Sequence, residues 1–146
     1  TEYLLAIVVR KDTAVVITLD RKGLADEVKV LNGSIAARDA DMYRRAAYAL
    51  YTRVLQPVRP WLTRNELLVV PDGPLHTVNF EVLLEEPSSP SDFRDHLLLK
   101  RYAIAQLLSV TTAVQFARLD APRSDDVLAL APGFTDELKH RFVAVV

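Results

Sequence analysis

The chain has 146 residues, 50% of them hydrophobic and 25% charged, with four Gly, eight Pro and no Cys. That is ordinary globular composition, long enough to bury about 70% of the surface its unfolded form would expose. The missing Cys excludes disulfides, thiolate catalysis, Cys-bound zinc and iron–sulfur clusters within this sequence, and a net charge of -1 leaves no positive surplus to hold a phosphate backbone, so no nucleic acid partner is expected.

No apolar run approaches the roughly 18 residues of a membrane-spanning helix, and no basic-then-apolar leader opens the chain. The expectation is a cytoplasmic protein with no membrane partner. Tyr3–Val9 and Ala14–Leu19 are β-branched and apolar around the polar Lys11-Asp12-Thr13, which predicts an N-terminal β-hairpin ending at Asp20–Gly23. Residues 24–37 carry Val28, Val30, Leu31 and Ile35 without a clean period and stay unassigned. From Asp39 or Asp41, either able to cap, Tyr43, Ala47, Leu50, Val54 and Val58 recur at three- and four-residue steps, while Arg44, Arg45 and Arg53 fall off that line. This predicts an amphipathic helix, stopped or kinked near Gln56 by Pro57 and Pro60, ahead of a packed Trp61.

Leu67–Val70 is apolar on both alternating faces, the pattern of a central parallel strand covered by helices on each side. Pro71-Asp72-Gly73-Pro74 ends it, and Phe80, Val82, Leu83 and Leu84 follow as a short apolar helical segment. Glu85–Asp95, rich in Pro and Ser, reads as a surface loop prone to disorder. Tyr102, Ile104, Leu107 and Leu108 predict a second buried strand, and Ser109 is placed to cap a helix whose inner face holds Val110, Ala113, Val114, Phe116 and Ala117. After a polar link, Val127–Ala131 predicts a third strand, Pro132-Gly133-Phe134 a turn, and Thr135 the start of a last helix. The order gives an α/β class: a mainly parallel sheet flanked by helices, joined by right-handed crossovers. Chemistry in such sheets gathers at the carboxyl ends of the strands, here Pro71–His76, Ser109–Thr111 and Pro132–Thr135.

Among these ends, Asp72-Gly73 can present a carboxylate and backbone N–H groups, with His76 close behind. The plainer alternative is an Asx-turn of Asp72 with its own backbone, Gly73 supplying an awkward dihedral. Ser109 stands between Leu108 and Val110 rather than in a Gly-flanked elbow, so a helix cap suits it better than a hydrolase nucleophile. His96 and His140 are isolated, without partners at metal spacing, and no metal site is expected. Neither nucleotide fingerprint is present among four scattered Gly, and no cofactor is expected.

Leu67–Leu84, with Val-Pro-Asp-Gly-Pro-Leu-His at its centre, resembles the CHAT family, the bacterial caspase- and separase-like cysteine peptidase domains often found behind tetratricopeptide repeats. Upstream, Ala49-Leu50-Tyr51 and Leu55-Gln56-Pro57-Val58 are similar to the helix before this strand in the family. Downstream, Tyr102-Ala103-Ile104 and Leu128–Phe134 are similar to its next two strands. One departure is Asn79, where the family usually has Pro.

The resemblance implies a caspase-like three-layer fold and peptide-bond hydrolysis by a His and a Cys on strands that come after the equivalent of Val127–Phe134. Neither residue is carried over, so no catalytic residue is assigned in this chain, and His76 belongs to the turn motif. Residues 1–146 are expected to be the incomplete N-terminal part of one such domain, opening at Thr1 without an initiator Met and closing on the apolar Phe142–Val146. Their part would be half of the sheet and one wall of the substrate cleft, with Asp72 and His76 as substrate-binding candidates, Asp72 favouring a basic side chain. The partners implied are the remainder of the same polypeptide or another protein, and a peptide or protein substrate. An exposed sheet edge would promote self-association. The alternative is a non-catalytic CHAT-like interaction module; a small-molecule-binding α/β domain ranks below both.

Overall fold

A computed structural model describes residues 3–10, 12–87, 92–111 and 114. The chain divides into two compact units, Thr1–Ala113 and Val114–Val146, and every strand and helix named here lies in the first. The predicted third strand, the Pro132–Phe134 turn, the last helix and His140 lie outside the described residues, as do residues 88–91 of the expected loop.

The hairpin forms as its pattern requires: β1 (Tyr3–Arg10) pairs antiparallel with β2 (Thr13–Asp20), Ile7 opposite Val16. Its inner face turns the half-buried Leu4, Ala6, Val8, Val15 and Ile17, with buried Leu19, toward the molecule. The unassigned stretch is a helix, α1 (Leu24–Ala37), burying Leu24, Val28, Leu31 and Ser34 on one face. Ser34 interrupts the apolar period, yet its hydroxyl donates to the Leu31 carbonyl at 2.7 Å and is satisfied in the core. Arg38, at φ 55°, ends α1 in the left-handed conformation, and its N–H donates to Ile35 O.

Asp39 then caps α2 (Ala40–Val54), its carboxylate accepting from Met42 N at 2.9 Å. Leu50, Tyr51, Val54, Ala46 and Ala47 of α2 join the α1 residues and Leu75, Val78, Phe80, Leu83, Leu84, Leu98 and Tyr102 in one core. Tyr43 reaches from α2 to donate to Val82 O at 2.5 Å and meets Phe93 edge-on. Arg53 at the other end of α2 bonds Glu27 of α1 and the Asp20 and Lys22 carbonyls, so one guanidinium ties hairpin, α1 and α2 together. Trp61, expected to pack, sits in a 3-10 turn at 38% exposure.

β3 (Glu66–Val69) pairs in parallel with β4 (Ala103–Gln106), as a parallel reading requires. The expected cover on both faces is not what is seen, since Leu68 is 56% exposed while Leu67 and Val69 turn inward; among the described residues β3 has one strand neighbour. A run of four apolar residues satisfies either pattern, and one covered face is what it meets. The observed architecture is mixed α/β, with two helices and two separate two-stranded sheets, one antiparallel and one parallel. Leu108, Val110 and Val114, expected to be buried, are exposed.

Candidate functional site

The candidate site is the turn leaving β3. Pro71 is buried and cannot donate an N–H, so strand pairing ends there. Asp72 stays extended at φ -130°, and Gly73 adopts φ 56°, a left-handed conformation that glycine takes without a Cβ penalty. Pro74 then sets the short 3-10 turn Gly73–Thr77, closed by Leu75 N donating to Asp72 O at 3.2 Å and Val78 N to Leu75 O at 3.1 Å. Leu75, Val78 and Phe80 plug it into the core. Asn79, where the resemblance implies Pro, has a φ of -82°, near that of a pyrrolidine ring, and its side chain accepts from Glu81 N to start the next turn.

Three further groups brace this turn. Thr77 Oγ1 donates to Pro74 O at 3.1 Å, and Asn32 Nδ2 on α1 donates to Thr77 Oγ1 at 3.2 Å. Gln106 at the end of β4 brings Nε2 to 3.5 Å from His76 O. Asn32 and Gln106 are positioning residues that sequence reasoning missed. Asn32 lies 45 positions from Thr77 in a helix without a clean apolar period, and nothing local marks either residue.

Asp72 and His76 are both exposed and belong to the same turn. The Asx-turn alternative does not hold, because the Asp72 side chain makes no capping hydrogen bond. Among the described residues neither the carboxylate nor the imidazole has a hydrogen-bond or ion-pair partner, and the two do not bond each other. The structure separates them in one respect. Asp72 lines a cleft of about 780 Å³ between the edges of β1 and β3, floored by apolar residues including Val54, Val58, Leu75 and Phe80, whereas His76 is not among its lining residues. Such a cleft accepts a chain segment with apolar side chains and offers a carboxylate to a cation at its rim.

Ser109 precedes helical backbone at Val110 and Thr111, the place of a cap. His96 lies 3.6 Å from Glu86, and among the described residues no group of three or more His, Asp or Glu is arranged to hold a metal ion. No helix among them is long and apolar enough to cross a membrane.

Comparison with known proteins bears on the same turn. The family model of the CHAT domain matches residues 44–144, covering most of α2 and all of β3, the Asp72 turn and β4. No curated protein and no solved structure matches the chain significantly.

Proposed function

Because the chain belongs to the CHAT domain family, we propose that it is the N-terminal part of a caspase-like cysteine endopeptidase domain with a three-layer fold, cytoplasmic, acting on peptide or protein substrates. It supplies part of the sheet and one wall of the substrate cleft. The catalytic His and Cys come from polypeptide outside this sequence, which contains no Cys. The observation that carries the reading is the Asp72 carboxylate: exposed, without a partner among the described residues, at the carboxyl end of a parallel strand and on the rim of an apolar-floored cleft. There it favours a basic substrate side chain through a charge-assisted hydrogen bond. His76, on the same turn but outside the cleft lining, is a second contact for the substrate backbone or a neighbouring side chain.

The test is a cleavage-site profile of the complete peptidase. Asp72→Ala should lower kcat/KM for substrates with a basic residue before the scissile bond by about 10- to 100-fold, the loss of one charged contact, and leave neutral substrates nearly untouched. Unchanged specificity and rate would remove Asp72 from the site. A second reading is a non-catalytic module that docks a protein partner. It is supported instead if the complete polypeptide cleaves no peptide and carries no His–Cys pair.

A further inference from the structure

An antiparallel sheet with one face in water normally alternates apolar inward and polar outward. The hairpin departs from that rule. Its outer face presents Tyr3, Leu5, Ile7 and Val9 from β1 at 63, 57, 63 and 74% exposure, with Val16 of β2 at 60% opposite Ile7. Ala14 and Thr18 complete the face, opposite Val9 and Leu5. Charge is confined to the hairpin's ends: Asp20 opposite Tyr3, Arg10 opposite Thr13, and Asp12 in the turn.

We propose that this face is a self-docking surface on which a second copy of the chain packs its own hairpin, sheet against sheet, about a twofold axis. The five residues expose roughly 600 Å² in all, the upper end of the patch a monomer carries, and Ala14, Thr18 and the strand ends extend the face toward the about 800 Å² per partner of a stable interface. An uncharged centre offers a charged partner nothing to pair with, but is complementary to itself. The edge of β1 borders the cleft that faces β3, and Leu5, Ile7 and Val9 of this face contribute to its lining. Two such faces stack about 10 Å apart, with the central pair Ile7 and Val16 beside the axis.

Sedimentation equilibrium of the 146-residue chain up to about 100 μM should show a dimer. Ile7→Lys puts a charge at the centre and should weaken association on the order of 30-fold or more, with the circular dichroism spectrum retained. Should that variant unfold, Val16→Thr keeps a β-branched residue and still weakens the dimer measurably. Val16→Cys, the sole thiol in an otherwise Cys-free chain, should be joined between chains by a short bis-maleimide cross-linker spanning the roughly 10 Å between stacked sheets. Edge-to-edge pairing of β1 strands would instead hold the two Val16 positions about 14 Å apart, three strand spacings. A monomer throughout, a dimer indifferent to both substitutions, or a dimer whose Val16→Cys form does not cross-link overturns the proposal.

Discussion

Replacing Arg53 by Ala removes one side chain that ties three elements together, and its cost follows from the geometry. Arg53 Nε donates to Glu27 Oε2 at 2.8 Å and Nη2 to Glu27 Oε1, a bidentate fork between α2 and α1. Nη1 donates to the Asp20 and Lys22 carbonyls at 3.2 and 3.1 Å, where β2 runs into α1. The Arg53 and Glu27 side chains are 22% and 29% exposed, so solvent screens the pair only in part. The hydrogen bond that it donates to Glu27 holds the Arg53 guanidinium above its ordinary pKa, against the desolvation that opposes it. Breaking a fully buried pair costs about 3–5 kcal/mol and a charged hydrogen bond contributes about 1.5–3, and partial exposure places Arg53→Ala near 2–3 kcal/mol. That corresponds to about 4–12 °C in melting temperature at this chain length. Thermal and urea unfolding followed by circular dichroism measure it. A cycle with Glu27→Gln should return a coupling of about 1 kcal/mol, and Arg53→Lys should recover under half of the loss, because a single ammonium cannot span the fork. A change within about 0.5 kcal/mol for Arg53→Ala would show the contacts to be ornamental and refute the reasoning.

Gly73→Ala should cost about 1 kcal/mol from the left-handed backbone alone, since nothing lies within 4 Å of the added Cβ; Gly73→Asn should cost less, and the reverse order in urea unfolding would contradict that origin. Leu84→Ala, at 0% exposure, should lose about 2–5 kcal/mol, against under about 1 for Leu68→Ala at 56%; equal losses would mean that Leu68 is buried after all. Burial raises the Tyr43 and Tyr51 hydroxyls above 10.0, so the folded state favours the protonated phenols. Their contribution is complete below pH 10 and lost as pH rises from the unfolded value through the folded one. The melting temperature should therefore fall above pH 10, and a flat alkaline profile with tyrosinate absorbance appearing at the ordinary value would contradict the burial.

What could be read in advance depended on how local the cause was. The hairpin is legible because β-branched residues flank a polar tip. Helix α2 is legible because Asp39 caps it and its apolar face recurs at helical steps. Helix α1 escaped because Val28, Val30 and Ile35 are β-branched, Gly33 sits inside the helix, and the core position 34 is filled by a polar residue whose hydroxyl is satisfied only once the turn has formed. β3 was legible as a parallel strand but not in its covering, because Leu67–Val70 is apolar whichever way it faces, and only tertiary packing exposes Leu68. At the candidate site, the left-handed Gly73 follows from its residue type. The bracing by Asn32 and Gln106 does not, since it depends on elements 45 and 30 positions away.

The bracing also bears on the role proposed for Asp72. A Pro-Asp-Gly turn ordinarily uses the aspartate side chain to hold its own backbone. Here other groups do that work: Leu75 N–H closes on the Asp72 carbonyl, Thr77 Oγ1 satisfies the Pro74 carbonyl, Asn32 holds Thr77, and buried Pro71 and Leu75 anchor both sides. The carboxylate therefore takes no part in holding this turn, which supports the recognition role proposed for it. Stability and recognition separate as a consequence. Removing Asp72 should leave the melting temperature where it is while altering what the cleft accepts, whereas removing Asn32 should loosen the turn and shift both. A fall in stability on Asp72→Ala equal to that on Asn32→Ala would return the aspartate to the ordinary role of a turn former.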